Sequence, residues 1–383
     1  MKFAGLVVKS ARRNKRRTAL TVISVAMAVF LFAALRAVLD GFHSAVEASS
    51  STRIVTIRST SLIFSMPTTH AETIKTVAGV RDITWANWFG GIYKDPSNFF
   101  GQFAIEPESY LRMFPEIILT PQEKTAFLED RTGCIVGEGL VKKFGWKIGD
   151  RIVLQVGIPI YGRQDYEFTV RGIYKAGSSA VDNMTMLFHW KYADERSIVR
   201  NQAGWFVSEI ANPDQAAQVA GAIDKKFENS PYETKTDTEK AFQTTFASMF
   251  GNLDLLLGSI ALAVVITTLF VAGNTMAMAV RERTTEIAVM RTLGFRARTI
   301  FLLVESEGLV ISVIGGAIGI ALARALVSSD TLPLGGFVPP FGVSTLNIVV
   351  GLLLSALIGI LAGIIPAVMA SRLRIVDALR KVA

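Results

Sequence analysis

Residue types that could form a catalytic or metal site are few and scattered in this sequence. The three histidines, His43, His70 and His189, lack the spacing of metal ligands. The pattern G-x-x-x-x-G-K-S/T, whose backbone amides bind the phosphates of ATP, is absent from the 383 residues, and Gly5–Ser10 has the wrong spacing. The single cysteine, Cys134, can form no disulfide within the chain and is expected in a core. We therefore expect no enzyme activity, cofactor or metal in this chain, so that energy for any work enters from elsewhere.

The stretch Arg281–Arg298, RERTTEIAVMRTLGFRAR, joins two apolar runs and has the pattern of a binding segment. Its composition predicts a short helix over Glu286–Leu293. Ile287, Met290 and Leu293 fall at i, i+3 and i+6, which places them on one face of that helix. A segment this short has no core in which to bury an apolar face, so the pattern favours docking into a cytoplasmic partner.

The two ends of this helix carry signals of their own. Arg283 and Glu286 stand at i and i+3, where opposite charges can pair. Gly294 stands where a helix can end in the left-handed conformation. The alternative to docking is a solvated loop whose arginines serve only to orient the chain in a membrane.

Glu305 and Glu307 are carboxylates inside an otherwise apolar run. A carboxylate in hydrocarbon costs roughly 2–4 kcal/mol unless it is paired or reaches the interface. One interpretation is that Glu305 reaches the cytoplasmic interface or pairs with Arg291 or Arg298. The alternatives are a helix-packing role tied to the preceding segment and a proton relay.

Small and polar residues within the apolar runs have a simpler interpretation. Gly315, Gly316 and Gly319 lie within one and a half helical turns, and small residues at such spacing let helices approach closely. Asn274 is expected to form a hydrogen bond between helices. We interpret all four residues as packing positions and not as ligand contacts.

Four apolar blocks must position these side chains. Hydrophobic residues make up 50% of the chain and the mean hydropathy is +0.40. They are concentrated in blocks of about 20 residues or more, and about 20 residues of helix cross a bilayer core of about 30 Å. The predicted order is a basic amphipathic segment at 1–17, a first span with a stalk at 18–48, a large domain at 49–250, a second span at 251–280, a cytoplasmic segment at 281–299, a third span at 300–325, a loop at 326–345, a fourth span at 346–371 and a tail at 372–383.

The large domain reads as α+β, because strand-like and helix-like runs alternate along it. All five tryptophans fall within it. We interpret them as core and surface aromatics, with a ligand or partner groove as the alternative. The predicted strands are 53–58, 133–136, 151–156, 167–174, 185–189 and 205–210, and the predicted helices include 69–77, 138–144 and 214–227.

The basic residues flank the apolar spans, although a net charge of +8 could also suggest nucleic acid binding. The N-terminal segment, the loop after the second span and the tail are rich in arginine and lysine, and the loop after the third span has neither. By the positive-inside rule both termini face the cytoplasm and the large domain lies outside it. We therefore expect contact with membrane lipid and no binding of nucleic acid.

With these features the chain resembles the permease subunits of the MacB/LolC/FtsX superfamily of ABC transporters. The most specific motif is R-x-R-x-x-E-I-A-V-M-R-x-L-G at Arg281–Gly294. One departure is Val376, where the family often has proline, and it puts little in doubt. The other matching features are the basic N-terminal segment, Glu305 with the three glycines after it, Pro366, the terminal DALR at 377–380, and Val136–Leu154 and Phe168–Tyr174 in the large domain.

The resemblance implies a permease in the bacterial inner membrane, which works with an ATPase subunit that holds ATP and magnesium. Two permeases, identical or different, would pair through the first and second spans. A periplasmic adaptor and an outer-membrane channel are further partners that the family allows. The residues implied to couple the permease to the ATPase are Glu282, Arg283, Glu286, Ile287, Met290, Arg291, Gly294 and Phe295.

Three functions remain open at this level. The first is export or extraction of a substrate on the outer side, driven by the motion of the ATPase. The second is a signalling subunit of the FtsX type, which would regulate an extracytoplasmic enzyme. The third, a passive channel or secondary transporter, fits least, because four spans offer few helices for a pathway and no broken helix is evident at mid-membrane. The size of the large domain, about 200 residues, favours the first.

Overall fold

The structure is a computed structural model that describes residues 14–156, 158–162, 164–248, 251–327 and 341–373, and of Pro159 only the backbone. Most of the predicted N-terminal segment, loop 326–345 and tail, including the DALR motif, lie outside the described residues. The chain divides into two compact units, which are described separately. Among the described residues, the membrane unit comprises 14–39, 252–327 and 342–373, and the inserted unit comprises those within 40–251 together with Phe341.

The described residues form four long apolar α-helices and eight short ones. In chain order they are α1 (Lys15–Glu47), α2 (His70–Lys75), α3 (Pro107–Met113), α4 (Pro121–Glu129), α5 (Glu138–Phe144), α6 (Trp190–Arg196), α7 (Ala216–Lys226), α8 (Glu239–Ser248), α9 (Leu253–Glu282), α10 (Thr284–Thr292), α11 (Ala297–Leu326) and α12 (Thr345–Ser371).

Four of these helices, α1, α9, α11 and α12, are long and apolar enough to cross a membrane within the described part of the chain. Side-chain caps fix the starts of two of them. The side chain of Asn252 accepts a hydrogen bond from the backbone of Leu255 at the start of α9, and that of Ser344 accepts one from Asn347 at the start of α12. The prediction of four membrane-spanning helices is confirmed.

The membrane unit is held together by close packing of apolar side chains from several helices. Ile320 of α11 and Ile358 of α12 are buried together with Val25 and Val29 of α1. Because lipid tails are as apolar as these side chains, the packing itself stabilises the unit.

The inserted unit is built on one large mixed sheet. The strands in chain order are β1 (Arg53–Arg58), β2 (Met66–Pro67), β3 (Val80–Trp88), β4 (Gly91–Ile92), β5 (Gly101–Ile105), β6 (Ile117–Ile118), β7 (Gly133–Gly137), β8 (Arg151–Val156), β9 (Gln164–Ala176), β10 (Thr185–His189), β11 (Gln202–Ala203), β12 (Trp205–Ile210) and β13 (Thr234–Thr238).

The large sheet has the order β13-β1-β12-β3-β5-β10-β7-β9-β8-β4, with β6 paired to β9, and β2 and β11 form a separate pair. Neighbours are antiparallel except β5 with β10 and β7 with β9, which are parallel. In β8, RIVLQV, exposed and buried residues alternate strictly, as expected for a strand with one face in a core.

Successive side chains along β1 and β12 point alternately to the two faces of the sheet. Ile54 and Phe206 are buried against α2 and α7, which cover one face of the sheet. Their neighbours Val55 and Val207 lie on the opposite face and contact Met113 of α3 and the partly buried Phe242 of α8. The prediction of an α+β domain between the first and second spans is confirmed.

Candidate coupling site

The segment between the second and third spans, residues 281–299, folds as a separate helix with a sharp turn at each end; we call it the coupling segment. Helix α9 ends at Glu282 and α10 begins at Thr284, so Arg283 is the single residue between the two helices. Gly294 ends α10 with a φ of +91°, in the left-handed region. The backbone amide of Phe295 donates to the carbonyl of Met290, and that of Gly294 donates to Arg291, each at 3.1 Å. These two bonds are the Schellman pattern of a helix end.

The predicted apolar face of this helix is divided between a core and the surface. Ile287 is buried with Val280, Ile300 and Ala370, and Met290 packs against the same cluster. The expectation that the segment has no core is therefore wrong for these two residues, because the end of α9, the start of α11 and the end of α12 supply one.

Another face of α10 is turned outward. Leu293 is 73% exposed and Val289 is 46% exposed. Glu286, Val289 and Leu293 recur every three or four residues and are exposed, so they form one exposed stripe of mixed apolar and acidic character. A partner that docks on the coupling segment would meet this stripe.

Two ion pairs tie the coupling segment to other helices of the membrane unit. Arg283 donates through Nη1 to Oε2 of Glu307 in α11 at 2.7 Å, and the two side chains are 15% and 14% exposed. Arg17 of α1 donates to Glu282 at 2.5 Å, with the glutamate 48% exposed. Sequence reasoning missed both pairs, since residues 24 or 265 positions apart in the chain share no local pattern.

A cavity of about 280 Å³ lies beside the coupling segment within the membrane unit. Its lining includes Arg17, Thr275, Arg283 and Glu307, together with apolar side chains of α9, α10 and α11. The side of α10 that carries Ile287 and Met290 borders this cavity.

Glu305 lies in the packed interior of the membrane unit. Both of its carboxyl oxygens are buried and have no hydrogen-bond partner among the described residues. A methyl group built on Gly363 of α12 would lie 2.6 Å from Oε2 of Glu305, so this carboxyl group faces α12. The expected pairing with Arg291 or Arg298 is wrong. The reason is helical geometry: Glu305 and Glu307 are two residues apart and therefore point to different sides of α11.

The three glycines of α11 lie at contacts with two other helices. A methyl group on Gly315 would lie 2.9 Å from the carbonyl oxygen of Val22 in α1. Gly319 faces α1 as well, and Gly316 faces Ser355 of α12. The absence of side chains at these positions allows the backbones to approach closely.

Asn274 does not form the expected bond between helices. It is exposed on α9, and it has no hydrogen bond to any residue that the structure describes. The spanning part of α9 is only 17% buried, against 33–39% for the other three spans. The expectation failed because the other described helices do not cover this side of α9.

Titratable groups suited to catalysis do not assemble elsewhere. Across the described ranges, no three histidine, cysteine or acidic side chains form a group that could hold a metal ion. Cys134 is buried in β7, and burial raises the pKa of its thiol well above the usual range. His189 is buried and its Nε2 lies 2.7 Å from the carbonyl oxygen of Phe127, a structural contact.

Two family models cover most of the chain. Residues 18–226 match the MacB-like periplasmic core domain, and residues 258–375 match the FtsX-like permease C-terminal domain. The chain belongs to the MacB/FtsX superfamily of ABC transporter permeases. The motif at Arg281–Gly294, on which the resemblance rested, lies within the second match.

The names of individual relatives agree with this family assignment. An uncharacterized ABC transporter permease, MJ1507 of Methanocaldococcus jannaschii, is 22% identical over 97% of this chain and 96% of its own length. The ABC transporter permease YvrN of Bacillus subtilis is 36% identical over 33% of this chain and 30% of its own. The macrolide export ATP-binding/permease protein MacB of Campylobacter fetus is 35% identical over 38% of this chain and 22% of its own.

The permease therefore spans less than a third of the length of the last two relatives. Among solved structures, the periplasmic region of MacB from Actinobacillus actinomycetemcomitans is similar over 53% of this chain and 95% of that one, with 9% identity and a TM-score of 0.39.

Proposed function

We propose that this permease is the transmembrane subunit of an ATP-driven mechanotransmission-type ABC transporter. It would couple the motion of a cytoplasmic ATPase to the inserted unit, which handles a substrate for export or extraction. The observation that carries this proposal is the exposed stripe on α10, which is joined by ion pairs to α1 and α11. A short helix with one exposed face, held next to its first turn by two ion pairs, is suited to receive a push and pass it to long helices.

The division of α10 into two sides supports this role. Its buried side, around Ile287, keeps the helix attached to the membrane unit. Its exposed side offers Val289 and Leu293 to a partner. The cavity beside it leaves space into which α10 could move when the ATPase closes. Such a movement would strain the pairs Arg17–Glu282 and Arg283–Glu307 and so reach α1 and α11.

We place ATP and magnesium in a partner ATPase and none in this chain. An ABC permease works with an ATPase, as membership of the family implies. We infer that this ATPase is a separate subunit. A periplasmic adaptor, an outer-membrane channel and the cell inner membrane as location belong to the same proposal, supported by the flanking basic residues that favour cytoplasmic termini.

A second permease subunit, identical or different, is part of the proposed assembly. The low burial of α9 and the exposure of Asn274 support this, because an amide in hydrocarbon is stabilised when it finds a partner. The pairing surface would then include the second span, as the family resemblance implies.

The test is purification of the tagged permease from its native membrane, followed by measurement of ATP hydrolysis. We expect an ATPase to co-purify, and Leu293→Glu to abolish its association by placing a charge in the apolar part of the stripe. Ile198→Glu in the inserted unit is the matched control, because both side chains are 73% exposed. An intact complex carrying Leu293→Glu would overturn the coupling role of α10. Co-purification of a cell-wall hydrolase would favour the FtsX-like signalling alternative.

A further inference from the structure

The inserted unit contains a cavity of about 600 Å³. Its floor is the sheet face that carries Val55 and Val207. Its walls are the end of α1, from Phe42 to Val46, together with parts of α3 and α8. Small-molecule sites in proteins have volumes of about 300–1,000 Å³ and are mostly apolar with a few polar groups. Size and lining both place this cavity in that class.

Ten of the 30 described residues that line the cavity are aromatic. They include Phe42, Trp88, Phe103, Tyr110, Trp205 and Phe242. The faces of aromatic rings carry partial negative charge and attract cations, by about 0.5–1 kcal/mol at exposed sites and by about 2 kcal/mol or more where water is excluded. An aromatic lining thus suits both an apolar molecule and a positively charged one.

The ionisable side chains of the lining are all acidic. Among the described residues that line the cavity, Glu239 and Asp182 carry carboxylates, and lysine, arginine and histidine are absent. This bias runs against the composition of the chain, which has 40 basic and 32 acidic residues. A cavity that selects an anion would need the opposite arrangement.

The charge of Glu239 is only partly compensated by its neighbours. Arg53 donates to Glu239 at 2.7 Å and to Glu116 at 2.8 Å, so one guanidinium serves two carboxylates. Another of its nitrogens donates to the carbonyl oxygen of Met113 at 2.8 Å. The guanidinium also stacks on Phe114, 4.3 Å from the ring centre. The group of three charges keeps a net charge of −1, and Glu239 is the member that lines the cavity.

Two polar side chains at the cavity wall still have hydrogen-bonding capacity. The hydroxyl group of Tyr110 and the amide of Gln243 form no hydrogen bond with any residue in the described ranges. Burial and the charge of Glu239 raise the pKa of Tyr110, so its hydroxyl remains a donor and acceptor at neutral pH. Both groups could orient a bound molecule near Glu239.

We propose that this cavity binds a small hydrophobic monocation, with its apolar body among the aromatic rings and its positive charge near Glu239. The proposal names a substrate class for the inserted unit and to that extent rests on the proposed function. Binding itself requires neither ATP nor an ATPase. The two proposals can therefore fail separately: loss of the ATPase partner would overturn the transporter role and leave the binding measurement unaffected.

Tetraphenylphosphonium and tetraphenylborate are matched probes, because they have nearly the same size and shape and opposite charges. The full chain in nanodiscs of zwitterionic lipid is titrated with each ion without ATP, and empty nanodiscs correct for partitioning into lipid. Trp88 and Trp205 line the cavity, so their fluorescence reports occupancy. We expect saturable quenching by the cation, with an affinity at least tenfold higher than for the anion. Equal affinities of the two ions would overturn the proposal.

Variants of α8 test the location of the site. Gln243→Trp should fill the cavity and lower the affinity for tetraphenylphosphonium at least tenfold. Thr244→Trp is the matched control, because Thr244 is the next residue, is exposed and does not line the cavity. Glu239→Gln should remove the preference for the cation while Gln243→Trp removes the site itself. Because Glu239 also holds Arg53, the Gln243 and Thr244 variants decide the question if Glu239→Gln fails to fold.

A second copy of the permease is the competing occupant of this cavity. If it fills the cavity, a Gln243→Cys variant would form a crosslink between two copies, and tetraphenylphosphonium would not bind saturably. That combination would overturn the proposal. Unchanged binding of the cation to Gln243→Trp would also overturn it, since the ion would then lie elsewhere.

Discussion

The guanidinium of Arg283 lies 2.7 Å from the carboxylate of Glu307, where the coupling segment meets the third span. Both side chains are largely buried, at 15% and 14% exposed. The half-exposed pair Arg17–Glu282 lies at the same turn between α9 and α10. The chain thus connects α10 to its neighbours with one buried and one half-exposed ion pair, which should differ in strength.

Breaking the buried pair is expected to destabilise the membrane unit. Glu307→Gln removes the carboxylate that Glu307 places beside the buried Arg283, at a cost of about 3–5 kcal/mol. Glu282→Gln should cost about 1 kcal/mol or less, because water screens the exposed partner. Thermal unfolding in detergent measures both. The exchanged pair, Arg283→Glu with Glu307→Arg, should recover part of the loss; equal effects of Glu307→Gln and Glu282→Gln would contradict the difference in burial.

Glu305 and Glu307 should differ in their reactivity toward a carbodiimide. A buried carboxylate anion without a partner costs several kcal/mol, whereas the protonated acid costs much less. We expect an apolar carbodiimide to modify Glu305 and to spare the ion-paired Glu307, as mass spectrometry of the labelled chain would reveal. Glu305→Gln, which is neutral and of similar size, should unfold within about 1 kcal/mol of the parent chain. Preferential labelling of Glu307 would refute this assignment.

Asn274 should contribute to pairing of two permeases. Its replacement by leucine removes a hydrogen bond worth about 1 kcal/mol in a membrane, so the dimer should dissociate about fivefold more readily. Thr267→Leu is the control in the same helix, because Thr267 is also exposed and its hydroxyl already donates to the carbonyl of Ala263 at 2.8 Å. Fluorescence energy transfer between labelled copies in liposomes measures the equilibrium. The same dissociation for both variants would show that Asn274 has no specific role.

Acid should destabilise the inserted unit through His70. Its ring stacks on Phe227 with centroids 4.3 Å apart, and burial lowers the pKa of His70 below its usual value of 6.5. As the pH falls below 6.5, the unfolded chain takes up a proton before the folded one, so stability is present above 6.5 and is lost below it. Burial also lowers the pKa of His189, which adds to the effect.

The variant His70→Phe keeps the stacking and removes the titrating group. Its free energy of unfolding should therefore fall less between pH 7 and 5 than that of the parent chain. Tryptophan fluorescence during unfolding measures this difference, because all five tryptophans lie in the inserted unit. If the free energy of unfolding fell equally with pH in both proteins, His70 would not be the cause of the acid destabilisation.

Several elements of the inserted unit follow directly from local patterns. The strands predicted at 53–58, 151–156, 185–189 and 205–210 have those bounds in the structure, because β-branched and aromatic residues are dense there. The strand Thr234–Thr238, TKTDT, was not predicted. Its residues are polar, and it is stabilised by pairing with β1 and by hydrogen bonds from Thr234 and Thr236 to Asp224 of α7. A strand whose partners are distant in sequence leaves little local signal.

The amino-acid sequence by itself determined the four spans, the α+β class of the domain between the first two, and the family. Hydrophobic blocks, charge at their ends and a specific motif are properties of consecutive residues. It also identified the coupling segment, although it placed the helix at Glu286–Leu293 instead of Thr284–Thr292.

Only the tertiary structure decided what covers each helix face. Ile287 and Leu293 have the same apolar character, but Ile287 is 3% exposed and Leu293 is 73% exposed. Glu305 and Glu307 have the same side chain, but only Glu307 forms an ion pair with an arginine. Periodicity shows which residues share a side of a helix, but burial and pairing depend on neighbours that are distant in the chain. The same is true of the cavity at Glu239, whose walls come from segments up to about 200 residues apart.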